Sequence, residues 1–166
     1  MKTIFTIGYE GTDIERFVKT LKAVGINAIA DVRAVPLSRK KGFSKNTLRD
    51  RLKEAGIEYF PMQVLGDPKP GRDAAKAGDY DTFKKIYSAH IDQPEVSCAI
   101  ADLAIEAREM NVCLLCFERD PKTCHRFIVG ERMEPYGYSM IHLYGDDPER
   151  YVRNHDKLPD SPRAVA

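Results

Sequence analysis

The stretch Val112-Cys113-Leu114-Leu115-Cys116-Phe117-Glu118-Arg119-Asp120-Pro121-Lys122-Thr123-Cys124-His125-Arg126 decides the fold. Its first half is a short apolar run, which reads as a buried strand. Its second half leads into Phe127-Ile128-Val129 and Met133 at helical spacing. Asp120 followed by Pro121 is a helix-start pair, since Asp accepts from free amides and Pro tolerates the first helical position. The run is a strand-to-helix corner, and it carries two thiols, a carboxylate, an imidazole and guanidinium groups that core packing does not require.

Strand alternation sets Val112, Leu114, Cys116 and Glu118 on one face and Cys113, Leu115 and Phe117 on the other. Cys113 and Cys116 therefore face apart, despite the C-x-x-C spacing that suggests a zinc knuckle or a redox dithiol. A metal site would instead draw on Cys116, Cys124 and His125, with Glu118 as fourth ligand or base, an unusual spacing for structural zinc. Cys124 and His125 fall near the helix start, where peptide dipoles favour a thiolate or a bound anion.

Working outward, the same alternation of strand and helix recurs. Thr3–Gly8 reads as a strand, Thr12-Asp13-Ile14-Glu15 as a capping box, and Ile14, Phe17, Val18, Leu21 and Val24 as the apolar side of a helix stopped by Gly25. A second strand over Asn27–Val32, a helix from Ser44 to about Glu54 and a third strand over Ile57–Phe60 follow. Pro61–Gly78 has turn chemistry throughout and is expected to be a loop, either a lid or an exposed excursion. Helices are expected over Tyr80–Ile91, Pro94–Met110 and Pro121–Tyr136, then a strand over Met140–Tyr144. Cys98 and Cys113 are expected to be core residues.

This order predicts a single α/β domain over 1–144, with a mostly parallel sheet flanked by helices on both faces in a Rossmann-like three-layer sandwich. Residues 145–166 are expected to form a C-terminal tail that wraps the surface or is partly disordered. The 166 residues, 43% hydrophobic, suffice for one core, and a net charge of +1 gives no global attraction to nucleic acid or membrane. No apolar run spans a bilayer and no signal pattern opens the chain, so a cytoplasmic location with free thiols is expected.

Ligands of an open parallel sheet sit beyond the carboxyl ends of its strands. Those ends gather Gly8-Tyr9, Asp31 and Arg33, and Cys116 with Glu118. From Arg33 to Lys53 eight cations stand against Asp50 alone, a local charge of +7. Such a stretch is a solvated face or the seat of an anionic partner, with Phe43 available for stacking on a nucleic acid.

Thr6-Ile7-Gly8-Tyr9, Asp31-Val32-Arg33 with Pro36, Ser38-Arg39 and Phe43, Gly56-Ile57-Glu58-Tyr59 with Leu65-Gly66, and Cys116-Phe117-Glu118 with Pro121 and Cys124-His125-Arg126 are motifs spaced in order along the chain. Through them the chain, over about residues 3–144, resembles the domain-of-unknown-function-488 family. The resemblance implies a prokaryotic cytoplasmic α/β protein, brings no activity or cofactor, and marks Asp31, Arg33, Ser38, Arg39, Cys116, Glu118, Cys124, His125 and Arg126 as the family's positions. The sequence thus points to an enzyme binding a phosphate-bearing ligand, a nucleotide or nucleic-acid component. Cys116, Glu118, Cys124, His125 and Asp31 are its catalytic candidates and Arg33, Ser38, Arg39 and Arg126 its anion binders. Cys124 is the better nucleophile, because Glu118 beside Cys116 raises that thiol's pKa. The alternatives are a non-catalytic nucleic-acid-binding module using 33–53, and a metal-binding protein through Cys116, Cys124 and His125.

Overall fold

The computed structural model describes residues 1–158. Five strands, β1 (Lys2–Gly8), β2 (Ala28–Asp31), β3 (Glu58–Pro61), β4 (Val112–Cys116) and β5 (Tyr138–Tyr144), form one all-parallel sheet in the order β3-β2-β4-β1-β5. Helices cover both faces, because parallel neighbours need crossovers that pack back onto the sheet. The expected three-layer α/β architecture is the one observed.

Alternation along the strands sorts the core into two halves. Phe5, Ile7, Ile29, Cys113 and Leu115 face α1 (Ile14–Val24) and α2 (Lys45–Glu54). Ile4, Ala28, Ala30, Val112 and Leu114 face α4 (Tyr80–Ile91), α5 (Pro94–Glu106) and α6 (His125–Met133). Each large apolar side chain so buried stabilises the fold by roughly 1.5–3 kcal/mol. Cys113 lies on the face opposite Cys116, as its position three residues earlier requires.

Several local expectations are corrected. The segment expected as a loop over 61–78 contains a 3-10 turn at Gln63–Leu65 and a helix, α3 (Lys69–Lys76), packed against α4. Pro70 is tolerated there because the first turn of a helix has no amide to lose. Asp13, not Thr12, caps α1 by accepting from the Arg16 amide, while Thr12 donates to the Gly145 carbonyl. Cys98 is exposed, not core: Val96, Ile100 and Leu103 turn to the sheet, and a residue two positions from Val96 points away. After β5 the chain forms α7 (Pro148–Arg153) against α1, tied by the Tyr151 hydroxyl, which accepts from the Tyr144 amide at 2.7 Å. The rest of the expected tail, 159–166, lies outside the described residues.

Candidate active site

The carboxyl ends of β1, β2 and β4 open into a cavity of about 350 Å³ on the α3–α6 side of the sheet. Cys116 closes β4 at its floor. The chain then turns through Phe117 and Glu118 to a 3-10 turn at Pro121–Thr123, which Asp120 caps by accepting from the Lys122 amide. Asp120-Pro121 thus starts this turn, and α6 begins only at His125 with Cys124 as its N-cap residue, without a side-chain cap bond. The delay brings Cys124 and His125 back over the end of β4.

The donor atoms of Cys116, Cys124 and His125 all lie within 4.8 Å of one another, and the three residues are buried. His125 Nε2 donates to the Val32 carbonyl at 2.6 Å, so Nδ1 is the ring atom that faces the sulfurs. Nδ1 stands 3.6 Å from Cys116 Sγ and 3.8 Å from Cys124 Sγ. The Cys116 thiol donates to Glu118 Oε2 at 3.1 Å. Tyr87 packs its ring 5.1 Å from that of His125 and limits its rotation.

This packing sets the protonation states. Burial alone would raise the Cys124 thiol, but the hydrogen bond with Cys116 and the His125 charge outweigh it and hold Cys124 well below the ordinary range. Burial likewise opposes a charged His125, yet the Cys124 charge and hydrogen bonds raise it to about 9. Burial and then the Cys124 sulfur push Cys116 well above its usual value. Glu118 is pushed up to about 7, first by burial and then by the Cys124 charge. A thiolate–imidazolium pair therefore sits beside a carboxyl poised near neutrality.

The other residues singled out in the sequence divide by what their donors meet. Arg33 forms a bidentate pair with Asp31, at 2.9 and 2.8 Å, and donates to the Phe43 carbonyl at 2.6 Å. Tyr59 donates to the same Asp31 carboxylate at 2.5 Å. Arg126, fully buried, donates to the carbonyls of Glu118 at 2.6 Å and Arg119 at 3.2 Å and to Thr6 Oγ1 at 3.3 Å. It braces the backbone on which Glu118 stands. Ser38 accepts from the Lys40 amide, and its own backbone is held by the Ser44 hydroxyl. Arg33 borders the cavity, whereas Ser38, Arg39 and Arg126 do not line it, so the four expected anion binders are not brought together.

Gly8 belongs to this brace too. A Cβ there would stand 1.8 Å from the Glu118 carbonyl oxygen, so only glycine lets the corner cross the end of β1. Phe43 is completely buried, stacked on Tyr9 at 4.6 Å, and is not free to receive a base. In the basic stretch Lys40 donates to the Tyr9 and Thr12 carbonyls and Arg51 pairs with Glu15.

Three wall residues escaped the sequence reading because they lie on the segment taken for a loop: Asp67, Arg72 and Lys76. Asp67 is buried, and its Oδ1 has no hydrogen-bond partner among the described residues. Burial raises its carboxyl to about 6. Their one sequence signal was Asp67-Pro68-Lys69-Pro70, an acid and a proline placed as at a helix start.

The family described as Domain of unknown function DUF488 matches residues 13–133, which include Asp31, Arg33 and the whole corner from Cys116 to Arg126. The chain belongs to the DUF488 family. The DUF488 match is narrower than the 3–144 that the motifs suggested and leaves Thr6-Ile7-Gly8-Tyr9 outside it. Comparisons with curated proteins and with solved structures found no match. No helix among the described residues of this DUF488 protein is long and apolar enough to cross a membrane.

Proposed function

We propose that this protein is an enzyme that binds a small phosphate-bearing ligand, of the size of a nucleotide or a nucleic-acid component, and acts on it with Cys116, Glu118, Cys124 and His125. The observation that carries the reading is the meeting of those four residues with two cations, Arg72 and Lys76, around one cavity of about 350 Å³. That volume falls within the range of small-molecule sites.

In this reading Arg72 and Lys76 take the phosphate, helped by the amides at the start of α6. Tyr9, Phe83 and Phe117 line the same cavity and offer apolar surface to the body of the ligand. Glu118, with its carboxyl near 7, can give or take a proton at neutral pH. Asp31 and Arg33 hold the rim on which these groups stand. The signature C-x5-R of thiol phosphatases is absent, since Lys122 stands six residues after Cys116.

The test is calorimetric titration with inorganic phosphate and with a nucleoside monophosphate. Binding should weaken at least about tenfold in the Arg72→Ala/Lys76→Ala variant, the loss of one to two charge-assisted bonds, and should be unchanged in Arg39→Ala. Equal binding by both variants would overturn the pocket assignment. If instead an oligonucleotide binds with steep salt dependence and loses affinity on charge reversal of Lys40, Lys41 and Lys45, the nucleic-acid module replaces it.

A further inference from the structure

We infer that Cys116, Cys124 and His125 form a binding site for a single thiophilic divalent ion of the zinc class, with three protein ligands and a fourth position open to the cavity. The inference rests on the reading of this pocket as an active site and specifies the chemistry performed there. Geometry carries it. With Zn–S about 2.3 Å and Zn–N about 2.0–2.1 Å, a tetrahedral ion places sulfur and nitrogen ligands about 3.6 Å apart. The two observed sulfur–nitrogen distances are 3.6 and 3.8 Å. The three donor atoms already occupy the corners of such a triangle, within 4.8 Å of one another.

The surroundings fit as well. A ligating histidine usually gives its other ring N–H to a carbonyl or carboxylate, which fixes the ring. His125 Nε2 does so to the Val32 carbonyl at 2.6 Å. A dipositive ion would also offset the two buried thiolates that ligate it. Buried charge without such compensation is costly.

Glu118 stands outside the ligand triangle, yet its Oε2 is 3.1 Å from Cys116 Sγ and its side chain borders the cavity. It is placed as a base and not as a fourth ligand. All three ligands line the cavity as well, so the open corner faces the ligand, as in catalytic and not structural zinc sites. The site therefore suits hydrolysis. A bound water gives one proton to Glu118, its oxygen bonds to the ligand's electrophilic centre, the bond to the leaving group breaks, and that group takes the proton from Glu118.

The test is metal titration of the reduced full-length protein, with zinc by native mass spectrometry and with cobalt(II) by absorption. One ion per chain is expected, and cobalt should give sulfur-to-metal charge-transfer absorption with the intense visible bands of a tetrahedral site. Cys116→Ser, Cys124→Ser and His125→Gln should each weaken zinc by more than about 100-fold, the upper end of what loss of an outer-shell partner alone costs. Cys113→Ser should bind as the parent does, and Glu118→Gln should keep the ion. A wild-type cobalt spectrum without the sulfur band, or full affinity in Cys124→Ser, would overturn the site; the wild-type spectrum decides even if a variant fails to fold. Loss of metal in Glu118→Gln would overturn the open fourth position. Phosphate binding that depends on Arg72 and Lys76 in a protein that takes no metal would sink this inference and leave the pocket reading standing, whereas metal without phosphate would do the reverse.

Discussion

Two charged clusters close neighbouring strands of the same sheet, Asp31 with Arg33 after β2 and Cys116 with Glu118, Cys124 and His125 after β4, and they are built on opposite terms. Asp31 receives Arg33 and Tyr59, and the remaining Arg33 contact goes to a carbonyl. Every strong donor there is matched, and the cluster is closed. At β4 the hydrogen bond of His125 Nε2 points back to Val32, while its other nitrogen stands 3.6 and 3.8 Å from the two sulfurs beside a shared cavity. The lesson is that charge at a strand end is not by itself a sign of chemistry. What distinguishes the reactive cluster is donor and acceptor capacity left facing a space that a ligand can enter.

The sharpest way to break this contrast is Asp31→Ala, which strands the Arg33 guanidinium in the core. It should cost about 3–5 kcal/mol by denaturant melts, as loss of one partner of a buried ion pair does. Cys116→Ser, at the open cluster, should cost under about 1.5 kcal/mol in the same melts, because it exchanges near-isosteric groups and keeps a donor for Glu118 where the thiol stood. Equal losses at the two positions would erase the distinction between closed and open.

Gly8→Ala attacks the brace beneath the open cluster alone, by driving a methyl into the Glu118 carbonyl. It should destabilise by about 3 kcal/mol, at the upper end for overpacking, and should lower phosphate binding in the surviving folded fraction. A smaller effect is expected from Tyr59→Phe, which removes one of several donors to Asp31 and should cost about 1 kcal/mol.

The finest probe is Asp67, the other buried carboxyl of the cavity. Its folded pKa, about 6, lies above the ordinary 3.8. Between those values the folded state keeps a proton that the unfolded chain has released, so this group's contribution is fully present below about 3.8 and is lost as pH rises through about 6. Melts across that window should show stability falling with pH in the parent relative to Asp67→Asn. Parallel profiles would show that Asp67 is not held out of water as its burial implies.

Much of this was legible in the chain. Apolar runs such as Ile29-Ala30 and Val112–Leu115 fix strands buried on both faces, and their alternation alone sets Cys116 opposite Cys113. The site's reactive half was legible for the same reason, because one short corner carries it. Its other half was not. Gly66-Asp67-Pro68-Lys69-Pro70-Gly71 reads as turns, but Gly71 is needed where a Cβ would strike Asp67 Oδ1 at 2.0 Å, inside a helix and not a loop. By residue type Arg33 and Arg126 read as anion binders. Their acceptors are mainly main-chain carbonyls of Phe43, Glu118 and Arg119 and the neighbouring Asp31, and main-chain acceptors leave no trace in a sequence.

The strand order carries a consequence for how the molecule comes into being. β1 and β2 do not pair with each other; each pairs with β4, which the chain supplies only after the three helices that follow β3. A chain emerging from the ribosome holds the two halves of its sheet without a seam until residues 112–116 arrive, and contacts this remote in sequence form slowly. The strand that joins the halves is also the one that ends in Cys116, with Cys124 and His125 close behind. Sheet closure and assembly of the thiol cluster therefore wait on the same strand, and no growing chain that lacks β4 holds the reactive centre.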